Sequence, residues 1–159
     1  MTDLAEPILR WPDVHLLILS AGRLAVAALF GGILGFQRER VHSTAGLRTH
    51  MLVCVGTAFF VLTAIESGAV MGDVSRIIQG IVAGIGFLGA GAILKIGDRA
   101  EVHGLTTAAS IWLTAAVGTG IGLGHLWLPI AGAVLGWIIL GPLERFEKHG
   151  KIEAPPPKS

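Results

Sequence analysis

Polar side chains suited to binding an anion stand at the starts of two apolar segments. Arg48, Thr49 and His50 open one segment, and Thr106 and Thr107 open another. The first turn of a helix has unpaired N–H groups and the positive end of the helix dipole, and both favour an anion. Together with the charged residues just before them they form a set that we call the polar face: Arg38, Glu39, Arg40, Arg48, Thr49, His50, Thr106 and Thr107.

The simpler interpretation of the polar face is structural: threonine side chains cap the two helices, and the arginines stay on the cytoplasmic side and contact lipid phosphates. The sharper hypothesis is that the polar face binds a phosphate-bearing ligand or an acidic patch on a partner protein. A second polar set, the hydroxyl stripe, consists of Thr107, Ser110 and Thr114 at helical spacing, with Gly118 next on that side. Such a narrow stripe is typical of hydrogen bonds between helices, and a polar pathway is the alternative.

One charge lies inside an apolar segment. Arg23 is about nine residues into the first segment, roughly 13 Å along a helix axis. A cation near the middle of a membrane costs about 2.5–3.5 kcal/mol on insertion scales. We expect Arg23 to reach the headgroups or to pair with Glu66 or Asp73, and a charge that faces a cavity in the bundle is the functional alternative.

Glycine supplies 23 of the 159 residues, well above the usual share of about 7%. Pairs spaced by four residues recur inside the apolar segments, which favours close helix packing in lipid, within one chain or between copies. The third segment is the densest. Its glycines could instead open the helix and offer carbonyl groups to an ion or ligand. They are Gly84, Gly86, Gly89 and Gly91.

The sequence shows no arrangement typical of an enzyme or a metal site. No nucleophile lies beside a base, the single cysteine is Cys54, and the six histidines are scattered. Mg²⁺ prefers oxygen ligands, for which Glu66 and Asp73 are weak candidates that form no cluster. We therefore expect no catalysis and no cofactor, and a net charge of +1 gives no reason to expect nucleic acid.

The elements that carry these residues are too apolar for a water-soluble domain. Charged residues make up 14% of the chain, against about 25% in soluble domains. Lipid offers no hydrogen-bond partners to the backbone, so apolar segments of about 20 residues should be helical. We predict an all-α membrane protein with a short segment 1–13, one transmembrane domain 14–142 and a disordered tail 143–159. Its five predicted helices are 14–36, 51–67, 77–96, 105–124 and 126–142.

Lysine and arginine residues set the expected orientation. Five crossings place nine of them on one side and only Arg10 and Arg76 on the other. Because basic loops stay in the cytoplasm, we predict the N-terminus outside and the C-terminus inside, with Trp11 and Trp127 at the outer interface. The acidic N-terminus indicates no removable signal peptide. The nine are Arg38, Arg40, Arg48, Lys95, Arg99, Arg145, Lys148, Lys151 and Lys158.

Four motifs resemble the MgtC/SapB family of bacterial membrane proteins. They are GFQRER at 35–40, AGLRTH at 45–50, GIGFLGAG at 84–91 and GLTTAASIW at 104–112. The resemblance covers about residues 20–140 and implies a bacterial inner-membrane location and links to low magnesium, acid tolerance and survival inside host cells. Longer, virulence-associated members add a cytoplasmic domain after the last span, so the chain resembles a short form. Gln37 stands where relatives usually have Glu, which weakens any cation site there.

Our leading hypothesis is a non-enzymatic inner-membrane protein that modulates a membrane partner or an envelope stress response. A small oligomeric ion transporter or channel, linked to magnesium, is the first alternative. A structural membrane subunit of a larger complex is the second. The expected partners are the lipid bilayer and either a second copy of the chain or another membrane protein.

Overall fold

The computed structural model describes residues 13–96 and 101–143 of the chain. It contains five α-helices, which confirms the predicted helical class. They are α1 (Val14–Arg40), α2 (Leu47–Glu66), α3 (Met71–Ala92), α4 (Leu105–Gly122) and α5 (Trp127–Ile138). The last helix continues directly into a turn of π-helix, Ile139–Leu143.

The predicted segments locate these helices but misplace several of their ends. α1 continues beyond the predicted end at 36, and α2 and α3 begin several residues before 51 and 77. The added turns contain charged and polar residues, which a search for apolar runs leaves out. A helix need not stop where the hydrocarbon core of the membrane stops, so apolar length alone does not define its ends.

A short β-hairpin, which the sequence did not predict, separates α3 from α4. Strand β1 (Leu94–Ile96) pairs antiparallel with β2 (Glu101–His103). The third helix therefore ends at Ala92 and not at 96 as predicted. Gly104 follows the hairpin with a φ of +94°, and a Cβ atom added there would overlap the carbonyl oxygen of Ala92. This close return of the chain requires glycine just before α4.

Helices α1 to α4 are each long and apolar enough to cross a membrane. The remaining apolar segment, Trp127–Leu143, is shorter than these four. Large apolar side chains on the outer surface, among them Phe59, Trp112 and Leu135, are more than half exposed. Contact of this apolar surface with water would be unfavourable, whereas the acyl chains of lipids can cover it without that cost.

Helix α4 lies at the centre of the bundle and contacts each of the other four helices. Glycines let α1 and α4 approach α2 closely from two sides. A Cβ added at Gly31 would lie 2.7 Å from the backbone oxygen of His50, and one at Gly122 would lie 2.8 Å from that of Ala58. The predicted close packing is confirmed for two glycine pairs spaced by four residues. These are Gly31 and Gly35 in α1, and Gly118 and Gly122 in α4.

Some predicted features lie outside the described residues. They include the segment 1–12 with Arg10 and Trp11, residue Arg99, and the tail from 144 onward. The predicted orientation depends largely on these residues, so it stays a prediction.

Candidate functional site at one end of the bundle

The end of α1, the loop 41–46 and the starts of α2 and α4 meet at one end of the bundle. In this loop the N–H of Ser43 donates to the carbonyl of Arg38 at 3.0 Å. His42 adopts a φ of 54°, in the left-handed region where histidine is enriched among non-glycine residues. This turn reverses the chain and brings α2 back beside the end of α1.

Arg38 points into the protein and is only 6% exposed. Its Nη2 donates to Ser43 Oγ at 3.4 Å, and Ser43 Oγ lies 2.8 Å from Thr107 Oγ1. These contacts join α1, the loop and the first turn of α4. Because a buried cation needs polar surroundings, the hydroxyl groups make this position tolerable for an arginine.

His50 is fully buried and uses both of its ring nitrogens. Nδ1 lies 2.9 Å from the carbonyl oxygen of Gly46, and Nε2 lies 3.0 Å from Ser110 Oγ. Since a carbonyl only accepts, Nδ1 must carry a proton. In the neutral ring Nε2 is then an acceptor, so the Ser110 hydroxyl donates either to His50 or to the carbonyl of Thr107, which lies 2.8 Å away.

We call these five residues the buried polar network: Arg38, Ser43, His50, Thr107 and Ser110. Each of the four chain segments at this end contributes to it, so the network holds the end of α1, the loop 41–46 and the starts of α2 and α4 in one arrangement. A buried network whose members are hydrogen-bonded resists rearrangement, because breaking it leaves polar atoms without water.

Glu39 occupies the N-terminus of α2. Its Oε2 accepts a hydrogen bond from the backbone N–H of Leu47 at 2.9 Å. The predicted capping by threonine is wrong, because the N-cap residues of α2 and α4 are Gly46 and Gly104, and neither of these residues makes a side-chain cap hydrogen bond. Thr49 already lies within the first turn of α2, where its side chain points outward and is exposed.

The structure thus divides the predicted polar face into a buried and an exposed part. Arg38, His50 and Thr107 are buried in the network. The guanidinium of Arg40 stacks 4.4 Å from the centre of the Phe36 ring. The exposed residues of the face are Glu39, Arg40, Arg48, Thr49 and Thr106.

All three residues of the hydroxyl stripe face the interior of the bundle. Thr107 and Ser110 bond across to the loop and to α2, as the interhelical interpretation predicts. Thr114 is fully buried and donates to the carbonyl of Ser110 at 2.8 Å, within its own helix. Beyond Thr114 the stripe continues as Gly118, which packs against α2.

Arg23 lies at the opposite end of the bundle, beside the C-terminus of α4. Its Nη1 is 3.5 Å from the carbonyl oxygen of Gly122, and a Cβ added at Gly124 would lie 2.9 Å from Nη2. A cation is stabilised there by the unpaired carbonyls and the negative end of the helix dipole. Within the described residues no ion pair joins Arg23 to Glu66 or Asp73, so that predicted pairing is wrong.

The two weak metal candidates have other partners. Glu66 accepts a hydrogen bond from Ser20, and Asp73 pairs with Arg76 at 2.8 Å. Among residues 13–96 and 101–143, no group of three or more His, Cys, Asp or Glu side chains could hold a metal ion.

The glycines of α3 have few neighbours. Gly89 makes an ordinary contact with Ala108, 3.5 Å from an added Cβ, whereas an added Cβ at Gly84, Gly86 or Gly91 meets nothing within 4 Å. The described residues thus make no close contact with these three glycines, and the predicted packing against another copy stays a prediction. The helix also runs unbroken from Met71 to Ala92, so the alternative of an opened helix does not hold in this structure.

Sequence reasoning missed two residues at the polar end. Ser43 links Arg38 to Thr107, but a serine in a short loop carries no recognisable signal. Gln37 donates from Nε2 to the carbonyl of Trp137 at 2.9 Å. Pro142 lies in the π-helical turn that follows and has no N–H to donate, so the last turn of this segment lacks one backbone donor. This proline was the only hint in the sequence that carbonyls near the end of α5 need another donor.

These features define the class: a membrane protein of several apolar helices with a polar network at one end of its bundle. The MgtC family model matches residues 24–149, and the chain belongs to the MgtC family. This confirms the resemblance seen in the four motifs. No solved structure matches the chain.

Several curated relatives are similar to much of the chain. Protein SrpB of Synechococcus elongatus is 42% identical over 137 residues, which cover 79% of this chain and 75% of SrpB. Protein MgtC of Brucella abortus is 51% identical over 107 residues, 66% of this chain and 43% of that protein. The Escherichia coli protein named "Putative magnesium transporter YhiD" is 41% identical over 125 residues, 74% of this chain and 57% of YhiD. The chain thus matches about half the length of the last two relatives.

Proposed function

We propose that this MgtC-family protein acts without catalysis, by modulating a membrane partner during envelope stress such as low magnesium or acid. The observation that carries the proposal is the buried polar network, which holds exposed arginines in a defined place at one end of the bundle. Arg40 and Arg48 flank the loop that Arg38 and Ser43 fix from inside. Fixed positive charges of this kind suit an acidic patch on another protein.

The interior of the bundle favours a modulator rather than a channel formed by one copy of the chain. Beyond Thr114, the described core between α1, α2 and α4 is mostly apolar, with side chains such as Ala58 and Ile121. The buried hydroxyl of Thr57 donates within α2. The hydroxyl of Thr114 is already used within α4. The polar atoms of this interior therefore bond to one another or to their own helix, which suits a structural role.

The location proposed for the protein is the bacterial inner membrane, with five crossings and the polar end in the cytoplasm. The positive-inside rule supports this, since Arg38, Arg40 and Arg48 gather at one end. An alkaline phosphatase fused after Ser159 should be inactive because the enzyme would remain in the cytoplasm. High phosphatase activity of that fusion would contradict the orientation.

Charge reversal at Arg40 and Arg48 tests whether these exposed arginines bind the partner. We expect the double variant Arg40→Glu and Arg48→Glu to lose complementation of growth at low magnesium in a strain that lacks the protein. Both side chains are exposed, so the amount of protein in the membrane should stay unchanged on an immunoblot. The matched control, Arg40→Lys with Arg48→Lys, keeps the charges and should complement. Full complementation by the glutamate variant would contradict the proposal.

A magnesium-linked transporter remains the alternative, favoured by the printed name of the YhiD relative. Ion flux measured with purified protein in liposomes separates the two functions. Robust flux that is lost in Thr114→Val would favour transport. Flux no higher than in empty liposomes, together with loss of complementation in the glutamate variant, would favour modulation.

A further inference from the structure

One side of α3 is covered by no other described part of the chain. Its glycines Gly80, Gly84 and Gly91 have no atom within 4 Å of an added Cβ. The side chain of Phe87 is 81% exposed. Residues spaced by three and four lie on one side of a helix. We call this side the open face of α3, and it comprises Asp73, Arg76, Gly80, Gly84, Phe87 and Gly91.

An apolar groove deepens the open face along its edge. The groove has a volume of about 420 Å³ and lies between α2 and α3, where Gly80 and Gly84 form part of its wall together with Phe60 and Leu88. In lipid, helices associate mainly through packing, and small residues let two backbones approach. The glycines and the groove therefore offer room for another helix.

The open face is complementary to itself in both shape and charge. It carries an exposed aromatic ring, Phe87, and glycine gaps on either side of it at Gly84 and Gly91. At one end it carries an acid and a base, Asp73 and Arg76, whose side chains are 50% and 80% exposed. In a two-fold symmetric dimer both subunits use the same surface patch. That patch must therefore carry both the acid and the base, and both the protruding ring and the gap that receives it.

We infer that a second copy of this chain covers the open face, with the two α3 helices parallel about a two-fold axis. Copies inserted in the same direction can be related only by an axis along the membrane normal, so each residue of α3 meets the same level of the other helix. A helical side chain leans over the turn before its own Cα. The Phe87 ring therefore lies at the level of Gly84 in the second copy.

The same arrangement places opposite charges beside each other. Asp73 and Arg76 are three residues apart, so Arg76 of each copy reaches the level of Asp73 in the other. The guanidinium has five N–H donors, and one contact with Asp73 of its own helix, at 2.8 Å, leaves others for the second copy. The inference does not depend on the proposed regulatory function, because it concerns only how two copies of the chain associate.

Cysteine crosslinking in native membranes tests this pairing. The unsubstituted chain is the blank, since its single Cys54 is fully buried. Under a membrane-permeant oxidant, Gly84→Cys and Gly91→Cys should form homodimers. Gly86→Cys is the matched control, because it also meets nothing within 4 Å but points to the opposite side of α3. Its crosslinked fraction should be about tenfold lower, because cysteines whose Cβ atoms point away from each other cannot form a disulfide.

Equal crosslinking at positions 84 and 86 would overturn the inference. So would crosslinking of Gly84→Cys to a different polypeptide, which would mean a hetero-partner on this face. If the Gly84→Cys protein formed no crosslink at all, lipid would cover the open face, and the inference would be overturned as well.

A charge exchange tests the register of the pair in the full-length protein in nanodiscs. Arg76→Glu should lower the dimer fraction about threefold, a modest effect because exposed ion pairs contribute about 0–1 kcal/mol. The double variant Asp73→Arg with Arg76→Asp restores opposite charges between copies and should restore the dimer. Persistent loss in the double variant would overturn the parallel register.

Discussion

Helices α3 and α4 contain the same glycine spacing and use it in opposite ways. In α4, an added Cβ at Gly118 would overlap the backbone and side chain of α2. In α3, an added Cβ at Gly80 or Gly84 meets nothing within 4 Å. The spacing by itself therefore indicates that a helix can be approached closely, but not which helix approaches it.

The two helices also differ in what else they bury. Besides its glycines, α4 buries the hydroxyl groups of Thr107, Ser110 and Thr114, whereas the described buried residues of α3 are Val74, Ile85 and Gly89. The central helix thus combines close contacts with polar contacts, while α3 leaves most of its surface to lipid or to another chain. Mutations that act on one helix and spare the other test this difference.

The largest effect is expected from a large side chain at a close contact. Gly118→Leu should lower the free energy of unfolding by about 3 kcal/mol or more, because overpacking forces α2 and α4 apart. Labelling of Cys54 by a thiol-reactive dye during heating measures unfolding, since this single cysteine is fully buried. Gly86→Leu on α3 is the control and should be at least as stable as the parent, because its side chain meets no neighbour at Cβ and leucine favours helix over glycine. An equal loss in both variants would erase the distinction between the helices.

The next effect concerns buried hydroxyl groups. Ser110→Ala should cost about 1–3 kcal/mol, because it leaves Nε2 of the buried His50 without a partner. Ser75 of α3 is exposed and bonds only within its own helix, so Ser75→Ala should change stability by about 0.5 kcal/mol or less. Chemical unfolding of the two variants in the same detergent makes the comparison. A Ser110→Ala protein as stable as the parent would show that the network adds little.

A smaller effect is expected where α4 ends. Arg23→Leu should lower stability by about 1 kcal/mol, since it removes the cation beside the last carbonyls of α4. Arg23→Lys retains the charge and should recover part of that loss, although lysine cannot reproduce the planar fork of donors. Thermal unfolding of both variants tests the expectation. Parental stability of Arg23→Leu would contradict the proposed role.

The smallest expected effect is that of a glycine-to-alanine substitution, which should change stability in opposite directions in α3 and α4. Gly86→Ala should stabilise the protein by about 0.5–1 kcal/mol, because alanine favours helix and its methyl group meets no neighbour. Gly122→Ala should destabilise it, since the new Cβ would lie 2.8 Å from the backbone oxygen of Ala58. Paired melting curves measure the two signs, and a common sign would contradict the structural comparison.

The sequence showed which residues belong to much of the site, but not how these residues are arranged relative to one another. The polar face and the hydroxyl stripe were predicted separately, and the structure joins them because Ser43 and His50 bridge between the loop, α2 and α4. Sequence spacing could not show this, since it relates residues within one helix and says nothing of the helix opposite. Arg38 is buried because it lies on the same side of α1 as the buried Gly31 and Leu34, whereas Arg40 lies on another side. A search for apolar segments could not show this, since it ends the helix before both arginines.

The amino-acid sequence was sufficient to identify a helical membrane protein of the MgtC family. Apolar length and the need to pair every backbone group in lipid leave little other choice. The packing of the helices was needed to show which glycines lie at close contacts, which arginine is buried and which groups Arg23 contacts. Those outcomes depend on which neighbour faces each side of a helix. In α4 the neighbours come from the same chain, and in α3 we assign them to a second copy.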